Sequence, residues 1–257
     1  MTKMNPNSPD RTLWCRHEIK YRVSESTAAA VVQFLQPYMR LDRYSELQEN
    51  GAYPIISLYL DSPNLRLCRE SLTGEKNRFK LRVRSYTDNL DYPRFFEIKR
   101  RVGSIIVKSR ARVLSSSVAP LLTGAQRPPI GNTVEDEALN QFTLYKDSLG
   151  AIGIVKIRYL RQAYEGIWDD RIRITFDREL SFNVTNKPEV ELGGAGWERV
   201  PMKDVILEIK FTGLFPAWIP RMTKCLGIRS RSVSKYTTSV KQAAVLKYPA
   251  PTAEAWK

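Results

Sequence analysis

The strongest constraint on this chain is a two-residue alternation in which charged side chains keep returning to one side. Residues 78–86 (RFKLRVRSY) put Arg78, Lys80, Arg82 and Arg84 on one face of an extended segment and Phe79, Leu81 and Val83 on the other. Residues 104–114 repeat the pattern with Lys108, Arg110 and Arg112, and residues 14–23 with Arg16, Glu18, Lys20 and Arg22. Residues 94–101 align Glu97, Lys99 and Arg101; residues 171–178 align Arg171 and Arg173; residues 204–211 align Glu208 and Lys210. Period-2 alternation predicts strands, and segments 54–61 and 153–165 add two more, giving eight.

Like charges abreast on neighbouring strands repel. One account is that these are solvated outer faces on which Lys and Arg protect sheet edges. Six such strands in one chain of net charge +14 weigh against it, because that much repulsion calls for a negative occupant. The predicted fold is therefore α+β, mainly β: an eight-stranded antiparallel β-barrel whose charged faces line a tunnel, with flanking helices. Helices are expected at 25–40 after the N-cap Ser24, with Pro37 shortening the last turn, and at 134–149 after Thr133. Two more are expected near 216–226 and 232–246, and loops at 123–133 and at the GGAG of 193–196. Nothing divides the chain, so residues 13–247 read as one domain between flexible tails, 1–12 and 248–257.

A positive excess admits nucleic acid, an acidic membrane surface or a phosphate-rich small molecule as partner. Nucleic acid is disfavoured, since Phe79 and Phe96 alternate away from the basic residues instead of interleaving with them for base stacking. Cys15, Cys68 and Cys225 are scattered, and with the lone His17 they build no zinc site; they read as reduced, mostly buried thiols. Glu18, Glu97 and Glu208 offer hard oxygens to a divalent metal, whereas His17 alternates away from the charged face. No stretch approaches the roughly 18 apolar residues of a membrane span, and the polar N-terminus has no signal-peptide core, so the expected location is cytoplasmic.

The segment RHEIKY (16–21) resembles the opening strand of bacterial VTC-type polyphosphate polymerase domains, which belong to the triphosphate tunnel metalloenzymes with the CYTH phosphatases and cyclases. Similar matches follow in order: SLYLDSP (57–63), KLRVRSY (80–86), FEIKRR (96–101), VKSRARV (107–113), YLRQAY (159–164), RITFDREL (173–180), LEIKF (207–211) and SKY (234–236). The resemblance implies an enzyme that transfers the ATP γ-phosphate to a polyphosphate chain inside the tunnel. It implies catalytic roles for Lys20, Arg82, Arg84, Lys99, Arg161 and Arg173, and phosphate binding by Lys108, Tyr159, Ser234 and Lys235. It also implies Glu208 as ligand to Mn²⁺ or Mg²⁺, with ATP as substrate and polyphosphate as partner. Where CYTH enzymes resemble E-x-E-x-K, this chain has Arg16 in the first position, which favours holding phosphate over activating water. A triphosphatase and a non-catalytic polyphosphate or inositol-phosphate sensor stay open as alternatives. Product length, preferred metal, oligomeric state and any regulatory or membrane partner are not legible.

Overall fold

The computed structural model describes residues 17–103, 105–124, 131–169 and 171–248. Arg16, Cys15 and both expected tails (apart from Tyr248, which packs against Phe182) lie outside the described residues. The predicted strands at 14–23, 54–61, 78–86, 94–101, 104–114, 153–165, 171–178 and 204–211 correspond to β1 (His17–Val23), β3 (Tyr53–Asp61), β4 (Asn77–Ser85), β5 (Arg94–Val102), β6 (Ile105–Val113), β7 (Ile152–Gly166), β8 (Ile172–Val184) and β10 (Val205–Phe211). Two short strands join them, β2 (Met39–Leu41) on β7 and β9 (Glu198–Arg199) on β8.

The result is one antiparallel, ten-stranded sheet with the path β1-β10-β8-β7-β3-β4-β5-β6. The expected eight-stranded closed barrel is not what the pairing gives: among the described residues β1 and β6 form the two edges and share no ladder. The sheet curls instead. Register shifts at Tyr59/Leu60 and at Arg158/Leu160, together with the left-handed Glu179 (φ 53°), bend the long strands. The curl brings β1 opposite β5, so that Lys99 Nζ lies 2.7 Å from a Glu18 oxygen.

Helices cover the convex side. α1 (Glu25–Leu35) starts at Ser24, whose hydroxyl accepts from Thr27 N–H, and buries Ala28, Val31 and Leu35 against β1, β8 and β10. It stops short of the expected residue 40, because Pro37 cannot continue the helix and the chain re-enters the sheet as β2. α2 (Arg43–Glu46), α3 (Arg66–Thr73) and α4 (Val118–Thr123) are short helices that pattern reading passed over. α5 (Thr133–Ser148) is capped by Asn132 and not Thr133; the Asn side chain takes the amides of Val134 and Glu135. Its Phe142 meets Phe96 of β5 edge-on at 5.0 Å, both about 1% exposed, and truncating either would cost about 3–5 kcal/mol. α6 (Trp218–Cys225) buries Ile219 and Met222, and leaves Cys225 exposed, unlike the buried thiol expected there; Cys68 is buried.

α7 (Lys235–Val245) lies on the concave side. Tyr236, Val240 and Ala243 pack there with Tyr59, Ile157, Tyr159 and Phe182. The Tyr236 ring stacks on Tyr59 at 4.9 Å, and its hydroxyl donates to the buried Asp61 carboxylate at 2.6 Å. That apolar half of the concave surface fixes where the helix begins, beside the charged half.

Candidate functional site

Cross-strand register decides which charges meet on the concave face. Lys20 sits opposite Glu208, Arg161 opposite Asp177, and Arg82 opposite Glu97, which in turn faces Arg110. These pairings offset one another. A different row does not: Lys80, Lys99 and Lys108 lie directly abreast on β4, β5 and β6. Three ammonium groups in line repel; Lys99 has Glu18 and Lys108 shares Glu97 with two arginines, while Lys80 donates to the Ser234 hydroxyl.

The cations group around four buried carboxylates. Glu97 is fully buried; Arg82 Nη2 and Arg110 Nη2 each approach it to 2.6 Å and Lys108 Nζ to 2.8 Å. Glu18 and Glu208 converge on one ammonium, Lys20 Nζ, at 3.1 and 3.2 Å, while Lys99 adds to Glu18 and Lys210 to Glu208, each at 2.7 Å. Asp177 takes Arg161 at 2.7 Å and Lys235 at 2.5 Å. Arg173 reaches Asp42, the α2 cap, and the Tyr53 hydroxyl. Arg84 donates to Ser57 at 3.1 Å and to the Tyr159 hydroxyl at 3.2 Å. Tyr159 has Lys235 Nζ over its ring at 4.6 Å, and Ser234 caps α7 while accepting from Lys80 at 2.7 Å.

All eleven residues singled out from the sequence thus fall on one concave surface or at the helix end beside it: Lys20, Arg82, Arg84, Lys99, Lys108, Tyr159, Arg161, Arg173, Glu208, Ser234 and Lys235. Glu18 and Glu97, the other carboxylates of the charged strand faces, join them, and five more side chains belong to the same surface. Lys80, Arg110 and Lys210 share the phase of the selected cations, so alternation alone signals them; Asp177 sits four residues after Arg173, on its face. Tyr59 carried no signal beyond its place in β3. Three other aligned arginines leave the face for partners at the rim: Arg22 pairs with Asp204, Arg112 with Glu135 and Arg171 with Asp169. His17 faces away and stacks on Phe211 at 5.0 Å.

The crowding shows in proton affinities. Burial would raise the Glu97 carboxyl, but Lys108, Arg82, Arg84 and Arg110 overcome it and hold it well below the usual carboxylate range. Glu18 is likewise kept ionised against its burial by Lys99, Lys20 and Lys210. Burial pushes Lys80 and Lys108 down to about 8, only partly opposed by Tyr59 and Glu97 respectively. Burial and the neighbouring Lys20, Lys210 and Arg82 also hold Lys99 well below its ordinary value. Burial would raise the Tyr59 and Tyr86 hydroxyls, yet the surrounding cations bring them down to about 8 and about 7. Cation crowding thus lowers the carboxylates and these two tyrosines, burial lowers the lysines, and Arg82, Arg110 and Arg161, gripped by Glu97 and Asp177, are held above their ordinary range.

A cavity of about 320 Å³ opens at one end of this surface, with Lys20, Arg78, Lys80, Lys99 and Arg101 in its wall and the segment Ser230–Ser234 across from them. Among the described residues no three His, Cys, Asp or Glu side chains gather as a metal cage. Glu18 and Glu208 do converge to within reach of a single cation, and Thr175, directly opposite Glu208, has a fully buried hydroxyl with no partner. Two hard carboxylates fit an Mg²⁺- or Mn²⁺-type ion that takes its remaining ligands from water and phosphate.

A curled antiparallel sheet whose concave face concentrates lysine, arginine and a few buried carboxylates defines a domain that binds strongly anionic ligands. Residues 15–244 match the family model of the VTC domain, so the chain belongs to that family, as the ordered motifs from RHEIKY to SKY imply. No curated protein matches in sequence. Among solved structures, the chain is similar to a candidate adenylate cyclase of Bacillus halodurans, at 13% identity and TM-score 0.50, covering 86% of this chain and 94% of that one. That likeness shows a shared fold. It is also similar to the PH1819 protein of Pyrococcus horikoshii OT3 (13% identity, TM-score 0.45, 88% and 99% covered). A third is the Mimivirus capping enzyme triphosphatase (7% identity, TM-score 0.33, 83% and 87% covered). No helix among the described residues is long and apolar enough to cross a membrane.

Proposed function

We propose that this protein is a polyphosphate polymerase, transferring the γ-phosphate of ATP to the end of an inorganic polyphosphate chain held along the concave face. The observation that carries the reading is the row Lys80–Lys99–Lys108, three ammonium groups abreast whose two carboxylates, Glu18 and Glu97, are shared with Lys20, Arg82 and Arg110. A chain of phosphates, with a negative charge at each step, suits such a row better than a compact anion does. With ligand in place the curled sheet would serve as the tunnel, its β1 edge held against β5 by the Lys99–Glu18 contact.

In the proposed reaction the ionised terminal oxygen of the chain attacks the γ-phosphorus of ATP. A new P–O bond forms, the bond to the β–γ bridging oxygen breaks, and ADP leaves. That acceptor needs no general base near pH 7, so positioning and charge neutralisation supply most of the rate. Arg82 and Arg161 are held rigidly by Glu97 and Asp177 and present their remaining N–H groups to phosphate oxygens. Arg84 and Arg173, steadied by Tyr159 and Tyr53, do the same. Lys20, Lys99 and Lys108 supply mobile point charges. Ser234 and Lys235 open α7, where free backbone amides favour anions. A divalent ion would be held by Glu208 with Glu18 and would supply neutralisation of phosphate charge.

Incubating the purified protein with ATP and Mn²⁺, then resolving products on a gel, tests this. A polyphosphate ladder is expected, lost in Lys20→Ala and Glu208→Ala. Orthophosphate without a ladder would assign a triphosphatase instead, and tight polyphosphate binding without either product a sensor.

A further inference from the structure

We propose that two adjoining connections at one end of the sheet form an interfacial patch that docks this domain onto an anionic lipid surface. Trp168, between β7 and β8, is 90% exposed, and Leu214, between β10 and α6, is 86% exposed. They are the two most exposed large apolar side chains among the described residues, and they sit at the same end of the sheet. A single exposed leucine needs no explanation. Trp168 and Leu214 with Phe215 and Ile167 exposed beside them do, because a cluster of open apolar side chains marks a contact surface.

The two connections touch and are propped from below. Gly213 lies against the Arg171 guanidinium. Ile167 N–H donates to the Tyr38 carbonyl at 3.0 Å, and the Tyr38 ring stacks on Trp218, the first residue of α6, at 4.8 Å. Phe215 packs on Phe211 at 4.9 Å. The tips therefore project from an aromatic base.

The charge around them selects the partner. α6, which follows closely on Leu214 and Phe215, turns Ile219 and Met222 inward and leaves Arg221 and Lys224 exposed. Of the acids nearby, Asp169 is matched by Arg171 and Glu165 by Arg40, and Asp170, outside the described residues, is outnumbered by Arg221 and Lys224, so the surplus is cationic. An apolar protein groove would gain nothing from a cationic rim, and a nucleic acid nothing from an exposed leucine. Tryptophan at the headgroup level, an aliphatic residue beside it and basic residues around both are what an anionic bilayer surface recognises. The inference is independent of the chemistry on the concave face. It orients that face all the same: Arg173 and Lys210 lie at this end, which docking would turn towards the lipid.

Sedimentation of the full chain with vesicles of phosphatidylcholine and phosphatidylglycerol, compared with phosphatidylcholine alone, tests it. Binding to the anionic vesicles is expected, about tenfold or more weaker on neutral ones and in the double variant Trp168→Ser/Leu214→Ser. Circular dichroism and melting of that variant should match the parent. Arg221→Ser/Lys224→Ser should lose the preference for anionic lipid, and tripolyphosphate, a polyanion of the kind proposed for the concave face, should leave vesicle binding intact. Absence of binding to anionic vesicles would overturn the proposal. So would binding unchanged in Trp168→Ser/Leu214→Ser or abolished by tripolyphosphate, since charge elsewhere would then be the cause. Concentration-dependent dimerisation that the same variant abolishes, without vesicle binding, would assign the patch to a second copy.

Discussion

Two carboxylate centres on the same concave face are held in opposite ways. Glu97 is gripped by two guanidinium groups, Arg82 and Arg110, each through Nε at 2.7 Å and Nη2 at 2.6 Å. Glu18 and Glu208 are held mainly by ammonium groups, Lys20, Lys99 and Lys210, with Arg161 no nearer than 3.7 Å. A guanidinium is permanently charged and rigid, so the first centre keeps its two-arginine grip even where Lys108, its third cation, gives up a proton. An ammonium is a point charge on a flexible stem and gives up its proton when crowded, so the second can rearrange around what it binds. The contrast separates a fixed frame from an adaptable seat within one surface.

Removing the fixed centre's anion should have the largest effect. Glu97→Gln leaves Arg82, Lys108 and Arg110 buried together without counter-charge, and breaking a buried ionic group in this way costs about 3–5 kcal/mol. Thermal melting should show a large loss of stability, much of it restored by tripolyphosphate, which replaces the missing negative charge. A variant as stable as the parent would mean that Glu97 is not the hub of this cluster.

The adaptable centre should respond differently. Lys99→Met removes a charge that burial, Lys20 and Lys210 already disfavour, leaving Glu18 with Lys20. Stability should move by less than about 1 kcal/mol, while tripolyphosphate affinity falls about tenfold to a hundredfold by calorimetry. Equal losses of stability and affinity would erase the distinction between the two centres.

Much of this surface was legible beforehand because side-chain period in a strand is fixed by geometry. Lys80, Arg82 and Arg84 had to share a face whatever the tertiary structure. What alternation cannot convey is register. That Lys80, Lys99 and Lys108 stand abreast, while Arg82 meets Glu97, depends on turn lengths between β4, β5 and β6. Nor can it convey where a face ends: Arg112 keeps the phase of Lys108 and Arg110, yet lies beyond the curl and turns to Glu135. The closed barrel was expected from strand count, but closure depends on the β1–β6 edges, about which the strand pattern is silent. Asn132 displaced Thr133 as a cap because its side chain reaches two amides at once.

pH should separate stability from binding, with opposite signs. Lys80 and Lys108 lose protons near pH 8 in the free fold but at about 10.5 when unfolded, and Tyr59 and Tyr86 also ionise early in the fold. Between about 8 and 10.5 the unfolded chain binds more protons, so these groups make the empty protein more stable as pH rises. A bound polyanion restores the lysine protons, so its affinity should fall over the same window, by up to about tenfold per pH unit for each proton taken up. Melting temperature with and without tripolyphosphate, followed from pH 7 upward, reads both slopes at once; parallel slopes would refute the linkage.

The smallest effect should come from a residue that shares the strand phase but not the surface. Arg112 is more than half exposed and pairs with Glu135, in the first turn of α5. An exposed ion pair contributes at most about 1 kcal/mol and is screened by salt. Arg112→Ala should therefore lower stability by less than that and change tripolyphosphate affinity by no more than about twofold. A substitution at Arg110, two residues earlier on the same strand, removes a guanidinium from Glu97 and belongs with the large effects. If Arg112→Ala instead weakened tripolyphosphate binding as much as Lys99→Met, the anion would have to run past the rim and along β6. The boundary between frame, seat and rim would then lie further out than the side-chain contacts place it.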